Sequence, residues 1–235
     1  MNRDHCFGPG ISGAPSALSL SDDPLPRTAL PVFRGHPRHL EAHLLRLEAG
    51  ASALGQPVKW LAGVQAEIMT WLASATPAED AALRLILHPG QGRLSARLEP
   101  LPSAPQPCRL VVMAHPLDGR REDPTVIHKG LSGPWGSVIL RAAQQLGAED
   151  ALLMWPDGTL AETALASVGV ESGGVLRVPP PQGRVASLTE RLDLPGWAGC
   201  RGLRLEPGDI PLAWAREGRL WCMNALRGIW PATLL

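Results

Sequence analysis

Lysine is scarce in this chain: of its 22 Lys and Arg residues only two, Lys59 and Lys129, are lysine. Lys129 lies in Val126-Ile127-His128-Lys129-Gly130, between a polar run and a helix-forming stretch. A lysine whose pKa is lowered by burial forms Schiff bases with carbonyl compounds, a task that guanidinium cannot perform. Taken alone, Lys129 reads as a solvated surface residue, since most lysines are exposed. Three histidines, His36, His39 and His43, also lie close together, the last two one helical turn apart. In His39-Leu40-Glu41-Ala42-His43 the acid is off the position a zinc protease needs, and a third ligand is missing. They read as surface or capping residues, and no metal site is expected. The four cysteines, Cys6, Cys108, Cys200 and Cys222, contain no Cys-x-x-Cys pair and read as reduced, mostly buried thiols. There is no tyrosine at all, which excludes any mechanism that needs a phenol.

Positioning such residues takes a packed chain, and the composition supplies one. Apolar residues make up 45% of the 235 and charged residues 19%, so a sizeable core is expected rather than disorder. The net charge is zero, which argues against nucleic-acid or membrane-surface binding by bulk electrostatics. The start of the chain lacks the pattern of a signal peptide and no run is long enough to span a bilayer, so a cytoplasmic protein is expected. Residues 1–30 read as a loop-dominated lead-in with one short strand around Ala17 to Leu20. Leu40, Leu44, Leu47, Ala51 and Leu54 recur at helical spacing, and a second helix starts at Pro57. Strands are expected at Leu83 to Leu87 and Arg109 to Ala114, separated by a Gly- and Pro-rich stretch. The polar run Pro116 to Pro124 is the linker candidate. Beyond it come a helix at Ser137 to Leu146, a strand at Ala151 to Trp155, a turn at Pro156-Asp157-Gly158-Thr159, a strand from Leu160 and a hairpin at Val168 to Val178. Helices around Leu188 and Ile210 and a strand at Arg219 to Met223 follow. The expectation is α+β with mixed sheets in two subdomains, 1–115 and 126–235, joined by a linker at 116–125.

The order of several runs carries a further reading. His43-Leu44-Leu45-Arg46-Leu47, His128-Lys129-Gly130, Gly147-Ala148-Glu149-Asp150-Ala151 and Asp157-Gly158-Thr159-Leu160-Ala161-Glu162 are followed by Leu188-Thr189 and by Asn224-Ala225-Leu226-Arg227-Gly228-Ile229-Trp230-Pro231. This order resembles the class IV, fold-type IV family of pyridoxal-phosphate enzymes. That family includes branched-chain and D-amino-acid aminotransferases and 4-amino-4-deoxychorismate lyase. The likeness runs from about Phe33 to the C-terminus, and the His-Lys pair and the terminal run are nearer the lyase branch.

The resemblance implies a fold like that of D-amino-acid aminotransferase, with pyridoxal 5'-phosphate as cofactor. It implies that Lys129 forms the Schiff base with the cofactor and that Glu162 faces its pyridine nitrogen. Arg46 then binds the phosphate, with Leu188 and Thr189 holding it at a helix start and Asn224 and Ala225 closing its other side. A homodimer acting on a small molecule is expected, converting 4-amino-4-deoxychorismate to 4-aminobenzoate and pyruvate in folate biosynthesis. An amino-acid aminotransferase and a degenerate, non-catalytic homologue are the alternatives. The chain departs from the family pattern in lacking the Gly-Asp-Gly-x-Phe-Glu-Thr stretch before the first helix, where only Asp22 or Asp23 is similar to its start. Ser167 replaces an expected Asn, and Glu190 replaces the Arg after the motif threonine.

Overall fold

The computed structural model describes residues 4–13, 24–75, 79–123 and 125–235. The expected strand at Ala17 to Leu20 and the acids Asp22 and Asp23 lie outside them. The chain divides into two compact units.

The first unit comprises residues up to Pro102 together with His128–Gly133. Its strands are β1 (Asp4–Gly8), β2 (Ile11–Gly13), β3 (Arg27–Phe33), β4 (His36–Pro37), β5 (Ala81–His88) and β6 (Arg93–Pro100). They form one antiparallel sheet in the order β2-β1-β6-β5-β3-β4. Two helices, α1 (Leu40–Ala53) and α2 (Leu61–Ala75), belong to this unit. The stripe read from the sequence, Leu40, Leu44, Leu47 and Ala51 on α1, is buried with Leu61, Val64, Ile68 and Leu72 of α2 against Leu30, Val32, Leu83 and Leu85 of the sheet. The lead-in is therefore more ordered than expected, since β1 and β3 are full members of the sheet. The stretch between the two expected strands also holds β6, where Leu94, Ala96 and Leu98 alternate into the core.

The second unit comprises 103–127 and 134–235. Its strands are β7 (Cys108–Ala114), β8 (Asp150–Met154), β9 (Leu160–Thr163), β10 (Ser167–Ser172), β11 (Val175–Val178), β12 (Arg204–Pro207), β13 (Arg219–Asn224) and β14 (Gly228–Leu234). The order is β12-β11-β10-β13-β14-β7-β8-β9, with parallel pairs at β11/β12, β14/β7 and β7/β8. Helices α3 (Trp135–Gln145), α4 (Leu188–Leu192), α5 (Leu194–Gly199) and α6 (Leu212–Glu217) complete the unit. The α+β class and the two sheet-bearing units stand as expected, although only the second sheet is mixed.

The division falls elsewhere than the composition suggested. Strand β7 goes with the second unit because it lies between β14 and β8 in that sheet. Arg121 in the polar run bonds Asp157 at 3.0 Å and sits 5.0 Å from the centroid of Trp155, so the run is fastened to the second unit. The segment 128–133 returns to the first unit, where Arg27 N donates to Lys129 O at 3.1 Å.

Candidate active site

In the first unit Lys129 sits in a turn pressed against the entry to β3. Gly130 has φ +97°, and a Cβ there would lie 2.3 Å from Leu25 O and 2.7 Å from Arg27 Cγ, so the residue after the lysine has to be glycine. Lys129 is exposed, as the residue read alone suggests, and not buried as a lysine with a lowered pKa would be. Arg46 is half-buried on α1, one turn after His43.

His43 corrects the surface reading of the histidine cluster. His36 and His39 are exposed, but His43 is only 1% exposed and its Nδ1 shares a hydrogen bond of 2.6 Å with Thr28 Oγ1. Burial, and then the positive charges of Arg46, Lys129 and His39, push its pKa down to about 3. A histidine held neutral in the fold but protonated near 6.5 when unfolded makes stability fall as pH drops from about 6.5 toward 3. Between pH 7 and pH 5 the expected loss from this one group is about 2 kcal/mol. Urea unfolding at both pH values should show that loss shrinking by about the same amount in His43→Gln, whose side chain does not titrate.

The second unit carries the acid. Glu162 lies on β9, 5% exposed, and burial raises its pKa above the usual carboxylate range. His115 and Arg184 act the other way. Val185 N donates to Glu162 Oε1 at 3.4 Å, and His115 Nε2 stands 3.7 Å from the same oxygen. Oε2 has no hydrogen-bond partner among the described residues.

The loop after β11 and the start of α4 follow closely on this. Leu188 and Thr189 are buried in the first turn of α4, which Ser187 caps by accepting from Glu190 N at 3.0 Å. Ser187 N in turn donates to Ser167 Oγ at 2.9 Å. Glu190 does not reach back as a capping-box acid; its carboxylate takes two bonds, at 2.7 and 2.8 Å, from the buried guanidinium of Arg184. Asn224 ends β13, where Oδ1 accepts from Leu226 N and Arg227 N and Nδ2 donates to Leu165 O at 3.2 Å. Its side chain thus shapes the turn that holds half-buried Ala225 and ties that turn to the segment just after β9.

The class IV aminotransferase profile matches residues 28–235. The chain belongs to the class IV aminotransferases. Among curated proteins none matches the sequence. Among solved structures, a fold IV transaminase from Curtobacterium pusillum superposes with TM-score 0.82 at 22% identity, over 99% of this chain and 91% of that one. The PLP-bound form of a hypothetical aminotransferase from Mycobacterium tuberculosis gives 0.80 at 22%, over 98% and 90%. 4-Amino-4-deoxychorismate lyase from Pseudomonas aeruginosa gives 0.73 at 24%, over 99% and 91%. These likenesses show the fold.

Class IV membership makes the chain an enzyme of the aminotransferase and lyase type, with pyridoxal phosphate as its cofactor. The residues present fit that group. A buried carboxylate with one oxygen left unpartnered suits a protonated ring nitrogen, and a lysine is fixed at a glycine-dependent turn. Lys129 and Arg46 come together with His43 in one unit, and Glu162, Leu188, Thr189, Asn224 and Ala225 fall in the other. His43, His115 and Arg184 were not singled out as site residues from sequence. His43 alone had a sequence signal, standing three residues before Arg46. Among the described residues no group of three or more His, Cys, Asp or Glu could hold a metal ion, and no helix is long and apolar enough to cross a membrane.

Proposed function

We propose that this chain is a pyridoxal-phosphate lyase that converts 4-amino-4-deoxychorismate to 4-aminobenzoate and pyruvate, acting as a cytoplasmic homodimer in folate biosynthesis. The observation that carries the cofactor side of this reading is Glu162, a buried carboxylate with one oxygen to offer. The lyase side is supported by the His128-Lys129 pair, the Asn224-to-Pro231 run and the likeness to the Pseudomonas lyase.

In this reading Lys129 would tether the cofactor through Nζ, Glu162 would pair with its ring nitrogen through Oε2, and Arg46, backbone groups of Leu188, Thr189 and Ala225, and Asn224 would hold its phosphate. Bound there, the cofactor supplies an electron sink conjugated to the substrate amine. Glu162 keeps a positive charge on the ring nitrogen. Lys129, as a neutral amine, would take the proton from the substrate ring carbon that bears the amine. Loss of that proton with cleavage of the C–O bond on the neighbouring ring carbon would leave the product ring aromatic, and the departing enolpyruvate would take up a proton to become pyruvate. His43, neutral at working pH, lies within the field of Lys129 and adds no cation to oppose a neutral amine.

Borohydride reduction of the cofactor-loaded protein followed by peptide mapping is the test. The label is expected on Lys129; a label on Lys59, or no visible absorption band after pyridoxal phosphate is added, overturns the reading. The likeness to the Curtobacterium transaminase favours amino transfer as the second reading. Pyruvate release from 4-amino-4-deoxychorismate, set beside amino transfer to keto acids, separates the two.

A further inference from the structure

His115 follows the last residue of β7, where its own N–H bonds Met154 O at 2.9 Å. Its side chain is fully buried, stacked on Trp155 with ring centroids 4.0 Å apart and tilted against Trp135 at 5.5 Å. Nδ1 accepts the backbone N–H of Leu117 at 3.2 Å. A proton on Nδ1 would face that donor head-on, so the contact selects the tautomer with its proton on Nε2. Nε2 has no hydrogen-bond partner within the usual limit, and Glu162 Oε1 stands before it at 3.7 Å.

This geometry differs from an ordinary His-Glu ion pair. An imidazolium would share its charge with the carboxylate and compete with any cation that Glu162 is to meet. A neutral N–H contributes only a dipole, aimed at the oxygen that Val185 N also approaches. Two N–H groups therefore address Oε1, and both leave the other oxygen alone. The two indole rings hold the imidazole in place, so the direction of that dipole is set by packing.

We propose that His115 is a positioning residue for Glu162: its Nε2–H, held in direction by the two indoles, is aimed at Oε1 and leaves Oε2 to receive a cationic ring nitrogen. The last clause rests on the cofactor reading above; the coupling between the two side chains does not. The other charged groups around the pair are Arg184, from the loop after β11, and Glu190, bound to it. Arg121 lies on the face of Trp155 and is paired with Asp157. Arg184 also favours the carboxylate, so its effect has to be kept constant by leaving it in place.

The test uses the cofactor-free protein. Nitrogen-15 NMR of wild type should show His115 protonated at Nε2 and unprotonated at Nδ1. A ring that carries its proton on Nδ1 overturns the proposal, and this measurement needs no variant to fold. Carbon-13 NMR of the Glu162 carboxyl, assigned by its loss in Glu162→Gln, then gives the second readout. In His115→Phe, which keeps the aromatic stack, the Glu162 midpoint should rise, by less than the about 1 pH unit that a full hydrogen bond to a charged group is worth, since Nε2 stands at 3.7 Å. His115→Gln, which restores an N–H donor, should bring much of that shift back. An unmoved midpoint in folded His115→Phe overturns the proposal. Borohydride labelling of Lys129 is a separate outcome: if it fails while the midpoint still moves, the coupling stands and the cofactor reading falls.

Discussion

Glu162→Gln is expected to lower kcat by about 10²- to 10³-fold, the loss seen when one preorganised electrostatic partner is removed from a water-excluded site. The amide is neutral at every pH and cannot keep a positive charge on the ring nitrogen. The same substitution should stabilise the cofactor-free protein at neutral pH. Burial raises the Glu162 pKa above its unfolded value, so between those two values the native state binds more protons than the unfolded one. Stability therefore falls as pH rises from about 4.3 through the raised value, and stays lowered above it. Glutamine has no such dependence. Thermal unfolding of both cofactor-free proteins should show the variant more stable at pH 8 and the gap closing at pH 4, where the glutamate is protonated in both states. An equal gap at both pH values would mean that packing, not charge, sets the difference.

The cost of burying this carboxylate gives a physical meaning to what surrounds it. Glu162 sits under a histidine held between tryptophans, beside a backbone N–H and near a buried arginine. Each favours the charged form by a modest amount, and together they offset part of the desolvation without neutralising the site.

Sequence patterning shows some of this directly. α1, α3, β5, β7, β8 and β13 follow from hydrophobic periodicity, because each buries one face or a continuous apolar run against a neighbour. β14 was hidden for a physical reason: Pro231 lies within it, and proline argues against a central strand, yet β14 stands between β13 and β7. Motif order picks out the lysine and the acid as candidates. Their buried supports were not, because whether a polar side chain is buried is decided by the assembled fold. Nothing local to His115 distinguishes it from an exposed strand-end histidine, and Arg184 is one arginine among many.

Arg184→Met should be the most destabilising single change in the second unit, by about 3–5 kcal/mol, because it leaves Glu190 charged and largely buried with its partner removed. The guanidinium is 1% exposed and its donors are all directed inward. Nε bonds Pro180 O at 2.9 Å, Nη2 also bonds Pro179 O, both terminal nitrogens reach Glu190, and Nη1 approaches Ser167 Oγ at 3.4 Å. Ser167 and Glu190 are two of the positions at which the chain departs from its family, and read separately they suggested decay. In the structure both bind the same arginine, and Ser167 also accepts from Ser187 N, the residue that caps α4. The departures therefore form one network that holds the start of α4 in place. Urea unfolding distinguishes a network from two unrelated changes. Arg184→Met/Glu190→Met, which removes both charges and fills the space, should recover much of the stability lost in Arg184→Met, since replacing a buried ion pair with packed apolar side chains is often neutral. Simple additivity of the two single variants would show that the ion pair is incidental to the fold.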